Sequence, residues 1–240
     1  MYRFRRKLIT IFALTFFLLS ALFVAIPLAL FYTMVWSHNE ERRMQYHRFI
    51  CAYFKWIATH IPDCKVLVNN VSGEDFSKPS IIISNHQSHL DLLVTLMLSP
   101  KVVAMTNRWV WNFPVYAPVI RYLEFYPVTH GLEVNEIKLK SLIDRGYSIL
   151  IYPEGTRSAE NKILRFHQGA FYLAEKFGLD IVPIYLDGPG RVLPKKDFTM
   201  YPGTITVNIG ERSKFDANQE NFKQKTKLWH QHYIKWESEF

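Results

Sequence analysis

Residues 8–36 form an apolar run with no charged side chain, behind a basic leader of Arg3, Arg5, Arg6 and Lys7. The run exceeds the ~20 residues that cross a bilayer as a helix, and it predicts a retained membrane anchor over residues 1–36. A cleaved secretory signal is the alternative, but the run is long for one and no small-residue cleavage site follows it. Pro27 lies inside the run, so a shallow re-entrant pair of helices bent there is expected beside a single span. From Glu41 to His60, the residues Tyr46, Phe49, Ile50, Tyr53, Phe54 and Ile57 recur at near-helical spacing among Arg and Lys. This predicts an amphipathic helix over 37–62, lying in the membrane interface or across the core of the next domain.

From Lys65 the pattern changes to short apolar runs bounded by polar turns. Val66–Val68, Ile81–Ile83, Val102–Met105, Phe125–Val128, Ser148–Tyr152, Ile181–Leu186 and Thr204–Ile209 read as strands. Helices are expected after Ser88, over Glu133–Asp144 with Gly146 ending it, from Arg165 through Phe177 with Gly178 ending it, and in the tail from Asn218. Strands alternating with helices predict a single α/β domain over residues 63–240, with a mixed, mainly parallel sheet flanked by helices.

The chain of 240 residues is long enough for one domain with a sizeable core, and much of its apolar excess lies in the first 36 residues. The formal net charge of +8 favours anionic partners: nucleic acid, anionic lipid or an acidic carrier protein. With a membrane segment present and no nucleic-acid motif, lipid is the reading and no nucleic acid is expected. Cys51 and Cys64 form no metal or redox pattern.

The candidate chemistry begins at Asn85-His86-Gln87-Ser88-His89-Leu90-Asp91, between an expected strand and an expected helix. α/β folds commonly place chemistry at such turns. A carboxylate that holds one imidazole nitrogen leaves the other free as a base. His86 and Asp91 are five residues apart, about 140° around a continuous helix. They meet only if the helix starts between them, and Ser88 is placed to cap that start. Two other readings compete. Ser88-x-x-Asp91 fits a loose capping box, which explains Asp91 but not His86. His86, His89 and Asp91 are also metal-ligand types, but their spacing matches no familiar zinc pattern and no Cys/His cluster completes it.

A second stretch, Pro153-Glu154-Gly155-Thr156-Arg157, follows another apolar strand. Gly155 lets the backbone turn or approach a ligand. Arg157 offers a planar fork for phosphate or carboxylate. Glu154 is suited to hold that arginine or accept a head-group hydroxyl. A surface turn with one weak salt bridge is the bland alternative.

Together these stretches resemble the glycerophospholipid acyltransferase family, which includes the 1-acyl-glycerol-3-phosphate acyltransferases. Asn85-His86 through Asp91 matches its first block, Pro153–Arg157 its third, and Ile181-Val182-Pro183-Ile184 its fourth, a short strand with a central proline. The resemblance covers roughly residues 65 to 210. It implies a membrane-bound O-acyltransferase in which Asp91 orients His86 as general base. Glu154, Gly155, Thr156 and Arg157 would bind the acceptor head or donor phosphates. Backbone donors near the first helix start would stabilise the oxyanion. No cofactor or metal is implied; an acyl-CoA or acyl carrier protein thioester is the co-substrate, and the acceptor is a lyso-lipid, first of all 1-acyl-glycerol-3-phosphate. The family's N-terminal helices sit on one leaflet, and acyl thioesters are cytoplasmic, which places this chain on the inner face of its membrane.

The chain departs from the family at Thr129-His130, where the second block usually carries an arginine associated with the acceptor phosphate. His130 is the local substitute when protonated, or Arg121 replaces the arginine in space. Lysine is also common in the family where His167 or Gln168 stands. Arg165 and Arg191 are further candidate anion contacts. Arg191, Lys195 and Lys196 form a basic cluster that meets a carrier protein or lipid phosphates, or else is a solvated loop. Acceptors other than lysophosphatidic acid therefore stay open. The rival classes are a lipid hydrolase, for which no Gly-x-Ser-x-Gly elbow exists and Ser88 is the available hydroxyl, and a membrane-anchored lipid-binding scaffold.

Overall fold

Ile81, Ile82 and Ile83 are almost wholly buried in one strand, and that strand is the middle of the molecule. The computed structural model describes residues 2–36, 39–114, 117–128, 136–159, 162–197, 199–216 and 221–239. The strands are β1 (Cys64–Asn70), β2 (Ser80–Ser84), β3 (Val102–Asn107), β4 (Tyr126–Val128), β5 (Ser148–Ile151), β6 (Asp180–Asp187) and β7 (Gly203–Ile209). They form one sheet in the order β1-β7-β6-β2-β5-β3-β4, with every pairing parallel except β6 with β7. The seven expected strands are all present, their ends moved by one or two residues. A strand paired on both edges and covered on both faces needs a continuous apolar run rather than an alternating one, which is what β2 and β5 carry.

The helices are α1 (Tyr2–Ser20), α2 (Ile26–Trp36), α3 (Glu40–Thr59), α4 (Leu90–Leu96), α5 (Arg108–Asn112), α6 (Ala117–Tyr122), α7 (Glu136–Asp144), α8 (Gly169–Phe177), α9 (Pro189–Val192) and α10 (Phe222–Glu237). α8 ends where expected, with Gly178 in the left-handed region at φ 62°. Residues 133–135, the expected first residues of α7, lie outside the described residues.

The anchor differs from the expected bend at Pro27. A π-helical turn over Ala21–Ala25 joins α1 to α2, and Tyr2–Val35 is one continuous rod. The Ile26 N–H bonds back to the Ala21 carbonyl, a wider turn that accommodates the proline's missing donor and its ring. The chain reverses between α2 and α3 instead. Tyr46 donates its hydroxyl hydrogen to the Ala25 carbonyl at 3.0 Å, the Ser20 and Tyr53 hydroxyls bond, and Phe16 meets Trp56 with ring centroids 5.8 Å apart. At the far end Arg6 pairs with Asp63 at 2.6 Å and donates to the Met200 carbonyl at 2.9 Å. The rod therefore lies antiparallel against α3 and touches the α/β domain at its basic end. The helix expected over 37–62 covers the core through buried His47, Ile50 and Ala58 while Tyr46, Tyr53 and Trp56 meet the rod.

Pro183 sits in β6 opposite Ile83 of β2, where a proline has no N–H for the ladder. Tyr233, fully buried on α10, repairs this place. Its hydroxyl donates to the Ile83 carbonyl at 2.8 Å, approaches the Ile184 carbonyl at 3.0 Å, and accepts the Ile184 N–H at 3.1 Å. Removing the hydroxyl strands a buried donor and acceptor. Tyr233→Phe is expected to lower stability by about 1–3 kcal/mol, read as a drop in urea midpoint with unchanged slope; an unchanged midpoint would contradict the repair.

Candidate active site

The C-terminal ends of β5, β2 and β6 lie side by side, and adjacent strands are ~4.8 Å apart, so the three loops that follow them start within ~10 Å. The chain leaves β2 into the first block, β5 into the third, and β6 into the Asp187–Lys195 segment. Brought together there are His86, Asp91 and Arg157 of the expected residues, with Lys195 added.

His86 Nδ1 lies 2.8 Å from Asp91 Oδ2, and that oxygen also accepts the Gln87 N–H at 2.6 Å and the Ser88 N–H at 2.8 Å. A carboxylate only accepts, so the imidazole hydrogen sits on Nδ1 and Nε2 is left as the base. Asp91 is wholly buried while the His86 side chain is 23% exposed, the arrangement of a fixed orienter behind an accessible base. The ring stacks on Tyr152 with centroids 4.2 Å apart and planes 18° from parallel. The Tyr152 hydroxyl bonds the Thr95 hydroxyl at 3.1 Å, and the Thr95 hydroxyl donates to the Asp91 carbonyl at 2.8 Å. Burial holds the Tyr152 phenol well above its ordinary value, with the Asp91 charge adding to the rise, so the stacking platform stays neutral. Tyr152 was not among the expected site residues; its place immediately before the third block was the available signal.

α4 begins at Leu90, one residue later than a cap at Ser88 requires. Ser88 Oγ accepts the Leu90 N–H at 3.2 Å and donates to the Leu193 carbonyl at 2.8 Å. Ser88 is fully buried, which removes it as a nucleophile for a hydrolase. The backbone N–H groups expected to serve an oxyanion are also engaged. Those of Gln87 and Ser88 point at Asp91, that of Leu90 at Ser88, and that of His86 at Glu154 Oε1 at 2.8 Å.

Glu154 is the main correction in the third block. It is 3% exposed, and its two oxygens accept the His86 and Leu164 N–H groups, the second at 3.0 Å, so it joins loops inside the protein rather than facing a head group. A carboxylate satisfied by backbone donors on both sides is a strut between the first and third blocks. Gly155 has φ +67°, and a Cβ there would come within 3.2 Å of the His167 ring, so this position needs glycine both for its backbone and for His167. Thr156 is exposed and Arg157 half-buried. Burial lowers the Arg157 guanidinium from its ordinary value, opposed by the Asp91 charge. Among the described residues Arg157 makes no ion pair. Burial also lowers His89, assisted by the Arg157 and His86 charges, so the groups at this mouth feel one another.

The remaining expected contacts are separate from this group or engaged elsewhere. Arg191 pairs with Asp187 at 2.6 Å and is 59% exposed. Arg165 is exposed on the 162–168 segment whose Leu164 and His167 backbones bond to Glu154 and Pro153. Arg121 lies over the Trp111 ring at 5.4 Å. His130 lies outside the described residues. Lys195, read in the sequence only as part of a surface basic cluster, reaches the third block: its Nζ donates to the Arg157 carbonyl at 2.6 Å and approaches Thr156 Oγ1 at 3.4 Å.

Comparison with known proteins gives the family and the fold. The acyltransferase family model matches residues 65–187, just over half of the chain. A 1-acyl-sn-glycerol-3-phosphate acyltransferase of Chlamydomonas reinhardtii is 31% identical over 85% of this chain and 62% of its own length. A chloroplastic 1-acyl-sn-glycerol-3-phosphate acyltransferase of Arabidopsis thaliana is 26% identical over 73% of this chain and 50% of its own length. The chain spans about half the length of the curated relatives it matches. The crystal structure of the 1-acyl-sn-glycerophosphate acyltransferase PlsC from Thermotoga maritima superposes with a TM-score of 0.79, at 23% identity and 98% coverage of both chains, and shares the fold. The chain belongs to the acyltransferase family.

Burial pushes the Glu154 carboxyl up to about 8 from 4.5, with the Asp91 and Glu237 charges adding to the rise and the two backbone donors opposing it. A carboxyl raised in this way holds its proton more tightly folded than unfolded. Its contribution to stability is complete below pH 4.5 and is lost as pH rises through about 8. Urea midpoints are expected to fall across that window, and Glu154→Gln is expected to flatten the fall. A pH slope unchanged by the substitution would remove Glu154 as its source.

Proposed function

We propose that the protein is a membrane-bound O-acyltransferase that moves an acyl group from an acyl-CoA or acyl carrier protein thioester to the free hydroxyl of a lyso-lipid. The acceptor we favour is 1-acyl-glycerol-3-phosphate. The observation that carries the reading is the buried Asp91 holding Nδ1 of a partly exposed His86, close to an Arg157 that makes no ion pair among the described residues. The family membership and the names of the relatives support it.

The reaction is a direct transfer. His86 Nε2 takes the proton of the acceptor hydroxyl as its oxygen attacks the thioester carbonyl. The tetrahedral intermediate collapses, the C–S bond breaks, and the imidazolium returns its proton to the leaving thiolate. An ester and a free thiol result, with no acyl-enzyme. Asp91 keeps the tautomer in register and offsets the charge His86 acquires. Arg157 holds the acceptor's anionic head so that its hydroxyl meets Nε2. For a purified protein in detergent, His86→Ala is expected to lower kcat by about 10²–10⁴-fold, and Asp91→Asn to lower it with little change in KM. Transfer of labelled acyl groups to a panel of lyso-lipids is the test. Fatty acid released without an acceptor, or activity retained in His86→Ala, would overturn the reading.

The anchor rod supports attachment to one leaflet. At ~1.5 Å per residue a 34-residue helix is about 50 Å long, well beyond the ~30 Å hydrocarbon core. Both of its end regions touch the rest of the protein, through Arg6 at Asp63 and through Tyr32 at Tyr122, so it runs along the domain instead of away from it. Arg6, Thr10, Ala21, Ala25 and Ala29 face inward, while Phe4, Phe12, Phe23 and Met34 are 68–85% exposed. We read it as an apolar rod bedded in one leaflet, with the leader, the site and a thioester supplied from the same aqueous side. Phe12→Glu with Phe23→Glu is expected to abolish flotation with anionic phospholipid vesicles; retained flotation would refute the placement.

A further inference from the structure

We infer that Lys195 is the second cation of the acceptor site and makes it selective for a phosphomonoester head. This deepens the acyl-transfer reading and rests on it. Several buried or half-buried cations elsewhere in the molecule have a carboxylate partner: Arg6 with Asp63, Arg43 with Glu124, Arg145 with Glu40 and Glu124, and Arg212 with Glu74. Among the described residues Arg157 and Lys195 have no such partner. The contacts of Lys195 are the neutral Arg157 carbonyl and Thr156 hydroxyl, and among the described residues its third ammonium donor takes no partner. Two half-buried positive charges drawn to one loop repel each other, and a folded protein keeps that arrangement where an anion completes it.

The arm that carries Lys195 is held at both ends. Ser88, inside the first block, donates to the Leu193 carbonyl at 2.8 Å. Beyond Lys195, the Met200 N–H bonds Thr10 Oγ1 at 2.8 Å, and Arg6 Nε bonds the Met200 carbonyl at 2.9 Å. Gly188, at φ +95° with the Thr204 carbonyl 2.0 Å from where a Cβ would stand, lets the chain turn out of β6 toward this arm. The ammonium is thus delivered to the Thr156–Arg157 stretch of the third block from a separate strand end. A phosphomonoester brings up to two negative charges and three terminal oxygens, enough to engage both cations. A phosphodiester head brings one charge, and a hydroxyl head none.

The test uses the full chain with an acyl thioester donor and two acceptors, lysophosphatidic acid and monoacylglycerol. Lys195→Met is expected to raise KM for lysophosphatidic acid about tenfold to a hundredfold with kcat within about threefold, and to leave KM for monoacylglycerol unchanged. Lys195→Arg should recover most of the loss, and the exposed neighbour variant Lys196→Met should match the parent. Equal rises for both acceptors would mean that Lys195 only braces the Thr156–Arg157 loop, and no rise for either would remove it from the site; both overturn the inference. Calorimetry of glycerol 3-phosphate against glycerol gives an answer independent of turnover. Binding of glycerol 3-phosphate that Lys195→Met weakens about tenfold supports the assignment even if no acyl transfer occurs, in which case only the reaction has failed. Binding indifferent to Lys195 sinks it.

Discussion

β2 is hydrogen-bonded on both edges by parallel strands, and this constraint decides where everything chemical stands. Parallel neighbours bring three loops out on the same side, and the sheet spacing sets them within reach of one small head group. Had β5 or β6 run antiparallel to β2, the third block or the lysine arm would have emerged at the opposite end. The pairing is supported in turn by Tyr233, whose hydroxyl serves the Ile184 N–H beside Pro183 and the carbonyl of Ile83, two positions before Asn85. Asn85 continues the same work, its side chain bonding both the N–H and the carbonyl of Leu186 at 2.7 and 2.9 Å. His86 is therefore held from below by a ladder and its repairs.

Charge is sorted by depth around this point. The carboxyl groups of Asp91 and Glu154 lie inside and take backbone and imidazole donors, whereas Arg157 and Lys195 are half-buried and, among the described residues, make no ion pair. Buried carboxylates are tolerated because each is given hydrogen-bond donors in place of water. The result is a base whose orientation is set from within and whose surroundings attract an anion from outside. The same division engages the N–H groups of Gln87 and Ser88, whose hydrogens hold Asp91.

The N-terminal helical rod is part of this arrangement. Through Arg6 and Thr10 it bonds Met200, and the segment from Leu193 to Met200 carries Lys195. One buried arginine at the anchor's basic end thus braces the arm that reaches the site. A helix that only tethered the domain to lipid would need no such contact.

The strands, the α/β class and the His86–Asp91 pair were legible in the sequence because each is written locally: apolar runs of strand length, a turn, and a spacing that only a helix start can reconcile. The roles of the third-block residues were not. Glu154 and Arg157 are neighbours of similar polarity, and only the packing of Leu164 and the first block over Glu154 turned one inward and left the other at the mouth. Pro27 reads as a breaker, but a wider turn ahead of it let the rod continue, since local strain has more than one local solution. Lys195 looked like a solvated lysine because its partners lie 38 residues away in sequence, across two strands of the sheet. What the residues determined alone was the set of elements and the dyad; which charges meet, and which stay unpaired, was decided by the order of the strands.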